Sequence, residues 1–285
     1  MLEPTVSPRP SVVALATSMA LLSLALGGCQ RDAAEPSTRS PLVPPAPPTV
    51  VVAAAPVAAL DRAGLLAAMD AVSSAYASGV DTADTTLSGR RFVVRQAFGC
   101  AAEIPPAGEA NVESGVGTWS RSPDGKSLKV TLTPGDWTAS PLITEGGEPV
   151  WEAVEGVWLT RPWMRTSDCP RVSYPTGVDD TARKRAPQTM GLASVFEADG
   201  SRLGRRNGRA YDFTVRGMDD QPAASPEQGY RLIIEGRMAA FPDGRSIRCR
   251  ASGPDERPVC IAAVHVDRVA FEDASGAALS EWRGG

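Results

Sequence analysis

Histidine is almost absent from this chain: 285 residues contain one, His265. That excludes an HExxH zinc centre, and any Ser-His-Asp arrangement would have to use His265, with Asp267 two residues on and on the same face of a strand. Neither a GxSxG elbow nor an S-x-x-K motif accompanies it. No C-x₂₋₄-C pair is present, which removes the common zinc ribbons and the CxxC redox site. Glycine-rich nucleotide fingerprints and a βαβα rhythm are missing too, so a doubly wound fold is not expected, and neither a cofactor nor a metal is implied. Positive charge is not in excess: 29 Lys and Arg against 33 Asp and Glu leave a net charge of −4. A dedicated nucleic-acid binder would usually be basic, so no nucleic-acid partner is expected. After residue 26 no long apolar run recurs, which leaves no candidate for a spanning helix.

What is there begins at the N-terminus. Residues 11–26, SVVALATSMALLSLAL, carry no charge. As a helix they would reach roughly 24 Å, short of a ~30 Å hydrocarbon core, so they read as the apolar region of a secretory signal. They are followed by Gly27, Gly28 and Cys29, the first of five cysteines. Leu26-Gly27-Gly28-Cys29 resembles the lipobox of bacterial lipoprotein signal peptides at every position. The resemblance covers the first thirty residues alone. It implies a signal peptide over 1–28, cleavage before Cys29, a diacylglycerol on its sulfur and a further acyl chain on the new amino terminus. One acyl chain anchors marginally, whereas two or three hold a protein on a membrane. In that family an acidic residue after the cysteine favours the inner membrane. Gln30 stands here, so the resemblance implies an outer-membrane protein facing the periplasm.

Residues 29–58 are rich in Pro and Ala and read as an extended tether. The folded domain is expected over 59–285. It opens with a helix over 61–78 whose apolar stripe is Leu65, Met69, Val72 and Tyr76, ended by Gly79. From residue 90 short alternating runs are punctuated by Gly, Pro and Asp. These are 92–98, 115–121, 127–133, 150–159, 193–198, 209–215, 230–241, 246–250, 259–273 and 279–282. The spacing predicts a mainly β fold, a β-rich α+β body built as an antiparallel sandwich or barrel-like structure with one peripheral N-terminal helix. Ser122-Pro123-Asp124-Gly125 supplies turn chemistry for a hairpin between the second and third runs. A polar stretch at 176–190 either divides two subdomains or connects two sheets of one sandwich.

The four cysteines after Cys29 read as two structural disulfides of an exported chain. A turn-rich middle between Cys249 and Cys260 would bring them together across a hairpin, leaving Cys100 with Cys169. Closing about a dozen residues is worth roughly 3 kcal/mol.

Candidate chemistry is sparse. Catalytic residues are not assigned. His265 on a strand is more plainly a packed or surface residue, and Glu152 and Glu155 fall on opposite faces if their segment is a strand. Trp151, Trp158 and Trp163 cluster with Arg161 and Arg165. Trp158 and Trp163 would stack on sugar rings while Arg161 and Arg165 bound an accompanying acid, although filling a core is the plainer role for tryptophan here. Arginines in RLGRRNGR, residues 202–209, would touch anionic headgroups, with a solvated turn as the plainer reading. The expectation is a non-enzymatic accessory or ligand-binding envelope lipoprotein, held to the membrane by lipid on Cys29, with an envelope protein or glycan as partner. A periplasmic hydrolase and a glycan- or lipopolysaccharide-binding module are the alternatives.

Overall fold

A computed structural model describes residues 57–80, 86–100, 114–145, 148–172, 187–217, 221, 223 and 227–284. Cys29, the signal peptide and nearly all of the tether lie outside the described residues. All of the described residues belong to one compact unit.

A two-residue strand β1 (Leu60–Asp61) leads directly into helix α1 (Arg62–Ala77). Asp61 caps the helix by accepting from the Gly64 N–H at 2.7 Å. At the other end the N–H of Val80 reaches Ala75 O at 2.9 Å and that of Gly79 reaches Tyr76 O at 3.1 Å. These are the two bonds of a Schellman stop, with Gly79 left-handed at φ 68° as the sequence anticipates. Leu65 and Met69 of the expected stripe are fully buried, joined by Leu66. Tyr76 turns outward and is 44% exposed.

The strands follow the alternating runs. β2 (Arg91–Phe98) precedes the hairpin of β3 (Gly117–Arg121) and β4 (Ser127–Leu132), closed by Gly125 N–H donating to Ser122 O. Leu128, Val130 and Leu132 of β4 point inward and are fully buried, as the alternation requires. Next come β5 (Gly135–Asp136), a single-turn helix α2 (Pro141–Thr144), β6 (Ala153–Trp158), β7 (Met190–Phe196) and β8 (Tyr211–Arg216). β9 (Tyr230–Met238), β10 (Ile247–Arg250), β11 (Val259–Glu272) and β12 (Ala278–Arg283) complete the chain.

Two sheets result. Nine strands form one sheet along the path β1-β2-β9-β11-β7-β6-β5, with β10 and β12 also paired to β11; β3-β4-β8 form the other. The body is β-rich and open, with no closed barrel among the described residues. Most pairs are antiparallel, but β7 runs parallel to β11 and β1 parallel to β2. Most of the 176–190 stretch lies outside the described residues; β6 and β7, which flank it, pair with each other.

Both expected disulfides form. Cys249 and Cys260 face each other in the register of β10 and β11, with Cα atoms 4.0 Å apart. Cys100 joins Cys169 across 69 residues.

One face of the large sheet, through residues such as Phe92, Leu232 and Phe271, shares the main core with α1 and the small sheet. A second, smaller core on the opposite face gathers Trp151, Val154, Val195 and Phe241. Beside it the Trp137 ring lies directly on Gly156 and Gly191. A Cβ on Gly156 would fall 2.0 Å from that ring, so the close approach requires glycine.

A cavity at the sheet fork and its arginine-rich mouth

The site arises from a defect in strand pairing. On one side of β11, β7 pairs from Met190–Cys260 to Ser194–Val264 and then leaves. β12 takes up that side only at Arg268, opposite Arg283. Between them the β11–β9 register shifts by a bulge at Val266/Arg268. The fork opens a cavity of about 320 Å³ toward the small sheet. Its apolar wall comes from Val157 of β6, Phe196 of β7, Ile234 of β9, Val266 and Val269 of β11, and Trp282 of β12. Trp282 is fixed edge-on between Tyr211 and Phe271, with ring centroids 5.2 and 5.6 Å away.

The segment 202–209 forms the mouth and supplies Arg202, Arg205, Arg206 and Arg209 to the lining. Left-handed Gly204, Asn207 and Gly208 fold it into consecutive turns. Two carboxylates stitch it to the edge of β6. Buried Glu155 accepts from the N–H of Arg206 at 2.8 and 3.0 Å and from that of Asn207 at 2.7 Å. Glu152, just ahead of β6, accepts from Arg202 at 2.8 and 3.1 Å and from Arg205 Nη1 at 2.9 Å. Desolvation opposes ionisation of Glu152, but the hydrogen bonds from Arg205 and Arg202 outweigh it, and the carboxyl titrates below its ordinary range. Sequence places Glu152 and Glu155 on opposite faces if their segment is a strand, but Glu152 lies just outside β6 and both side chains bond the same loop.

Tyr211 stands below the loop, its hydroxyl donating to Gly204 O at 3.3 Å and its ring 4.5 Å from the Arg206 guanidinium carbon. Burial, reinforced by the charge of Glu155, pushes this phenol up to about 12. One donor is left over. Arg205 Nε is buried and has no hydrogen-bond partner among the described residues.

The arginines of 202–209 are among the residues singled out by sequence, whereas Trp158, Trp163, Arg161 and Arg165 lie elsewhere. Trp158 packs on Trp137 with ring centroids 4.5 Å apart, whereas Trp163 is 60% exposed. Arg161 donates to Ala97 O, and Arg165 pairs with Asp70. At the centre of this neighbourhood is a residue the sequence reading missed, Arg62, only 5% exposed. It donates to Thr160 O (2.7 Å), Arg161 O (3.2 Å), Met164 O (3.4 Å), Thr166 O (3.2 Å) and Gln96 Oε1 (3.2 Å). Burial, then the charges of Arg161 and Arg165, pull its pKa down to about 10. The signal was present: Arg62 precedes Leu65, Leu66 and Met69 on one helical stripe. His265 is exposed on β11, and the Asp267 carboxylate beside it binds Arg237 at 3.0 Å.

Among the described residues no group of three or more His, Cys, Asp or Glu could hold a metal, and no helix is long and apolar enough to cross a membrane. Comparison with known proteins adds no likeness: no family model, no curated protein and no solved structure matches the chain.

Proposed function

We propose that this protein is a lipid-anchored binding module of the bacterial envelope, which holds a small ligand without transforming it. The observation that carries the reading is the cavity at the fork. It is small and mostly apolar, with charged groups gathered at one end, the usual construction of a small-molecule site. Its one inward carboxylate, Glu155, is already committed to two main-chain N–H groups. The lipobox supports attachment through Cys29, Gln30 supports the outer membrane, and residues 30–58 are long enough to keep the domain clear of the lipid surface.

Intact mass and organic extraction of the membrane-extracted protein test both halves. The expected mass begins at Cys29 with added acyl chains, and Cys29→Ser releases the protein from membranes. The extract is expected to contain a co-purified small molecule that is absent from Val157→Trp, whose indole fills the cavity. An unlipidated mass would remove the anchor. Turnover of an envelope ester or glycan, lost on a single substitution, would overturn the non-enzymatic reading.

A further inference from the structure

The cavity pairs an apolar interior with a mouth built of guanidinium groups, and each half constrains the ligand. Val157, Phe196, Ile234, Val266 and Val269 offer no side-chain hydrogen bond, and the neutral polar side chains of the lining are Ser194, Tyr211 and the Trp282 indole, few for a sugar or peptide. At about 320 Å³ the space is near the lower end of ligand pockets, enough for one chain and too little for a two-chain lipid.

The mouth is cationic, and its cations are arranged for an oxyanion. Arg202 and Arg205 already hold a carboxylate between them, that of Glu152. Glu152 thus shows that this guanidinium pair accepts an oxyanion, and it occupies the position from outside the lining. Arg205 Nε is the donor that Glu152 does not reach: buried, unpartnered among the described residues, on a side chain that lines the cavity. A buried N–H without an acceptor costs free energy until one arrives. The Nε surface is closed off in this structure, so a ligand oxygen would satisfy it with a charge-assisted bond once the Arg205 side chain turns toward the cavity. Glu155 does not do so in this structure, where it accepts from the main-chain N–H groups of Arg206 and Asn207.

We infer that the cavity binds a single-chain anionic amphiphile, its tail in the fork between β7 and β12 and its oxyanion on Arg205 and Arg202. This deepens the binding reading above and rests on it. Glu152 is then a built-in competitor for the head group, and the ligand must share or displace its carboxylate.

The test is calorimetric titration of the full mature chain with four probes kept below their micellar concentrations: dodecanoate, dodecyl phosphate, dodecanol and dodecyltrimethylammonium. The anionic probes are expected to bind at least tenfold more tightly than dodecanol, with the gap narrowing as salt is raised. Dodecyltrimethylammonium should bind weakest. Whichever anion is tighter distinguishes a fatty-acid source from a phosphorylated-lipid source. Arg205→Gln should abolish the preference over dodecanol. Glu152→Gln, at an outward-facing position, should tighten anion binding several-fold, which keeps the inference testable if Arg205→Gln does not fold. Equal binding of dodecanol and dodecanoate, unchanged in Glu152→Gln, would overturn the head-group assignment and leave the binding module standing. Binding of none of the four probes would overturn both.

Discussion

Two arginine clusters in this molecule have similar composition and opposite consequences. Around Arg62, with Arg161 and Arg165, the donors are consumed. Arg62 gives its hydrogen bonds to four carbonyls and Gln96, Arg161 bonds Ala97 O, and Arg165 bonds Asp70. Such a cation stays inside because main-chain oxygens replace its water, and what it holds is the segment 160–166. Around Arg205, with Arg202, Arg206 and Arg209, the donors are spent only in part, and the side chains line a largely apolar cavity. A guanidinium cluster is therefore structural or receptive according to whether its donors are already answered within the chain.

The largest effect should come from cutting the covalent link of the first cluster. Cys100–Cys169 ties the end of β2 to the chain that follows the Arg62-held segment, across 69 residues. Replacing both by Ala is expected to cost roughly 4 kcal/mol by loop-closure entropy, against about 3 kcal/mol for Cys249–Cys260, which spans 11. Urea unfolding of the two double variants measures the difference. An equal loss would mean that the β2 end is already fixed without its crosslink.

Next in size is the exchange of roles between the clusters. Arg62→Ala leaves several buried acceptors without a donor and should lose about 3 kcal/mol of stability. Arg62→Lys should recover little, because one ammonium cannot span the same oxygens. Arg205→Ala removes a partly exposed ion pair and should cost far less stability while abolishing the preference for anionic probes over dodecanol. If Arg62→Ala kept its stability, or Arg205→Ala kept its preference for the anion, the distinction would fail. Denaturation curves and titrations on the same two proteins decide it.

Much of the frame was legible because it is local. The β3–β4 hairpin declares itself by alternation around Ser122–Gly125, and the Cys249–Cys260 pair by a turn between two short arms. Helix α1 shows its stripe and its Gly79 stop. Strand direction was not legible, since alternation is the same in either sense: β7 beside β11 reads as one more strand of an antiparallel body. β5 has two residues and α2 four, too few to impose a period. The cavity was out of reach for a different reason. Its wall runs from Val157 to Trp282, and its mouth is shaped by Glu152 and Glu155, some fifty residues before the arginines they hold. In sequence RLGRRNGR reads as a solvated turn; the carboxylate bonds that fix it to the start of β6 are long-range.

The smallest effect concerns Tyr211, and it probes the second cluster without ligand. Burial and the Glu155 charge favour the neutral phenol, while Arg206 opposes them less strongly, so the group titrates near 12 rather than 10. Because the folded pKa is raised, the stabilisation is complete below about pH 10 and is lost as pH rises through 12. Nothing should change at neutral pH. Phenolate absorbance during alkaline titration is expected to show one of the four tyrosines ionising last, and Tyr211→Phe should remove that final step. The same substitution should flatten the fall of stability between pH 10 and 12. Arg206→Ala should move the step later still, since it removes the one neighbouring charge that favours the phenolate. A step that moved earlier would show that Arg206 chiefly shields the ring from water, and that loop 202–209 covers the cavity more by packing than by charge.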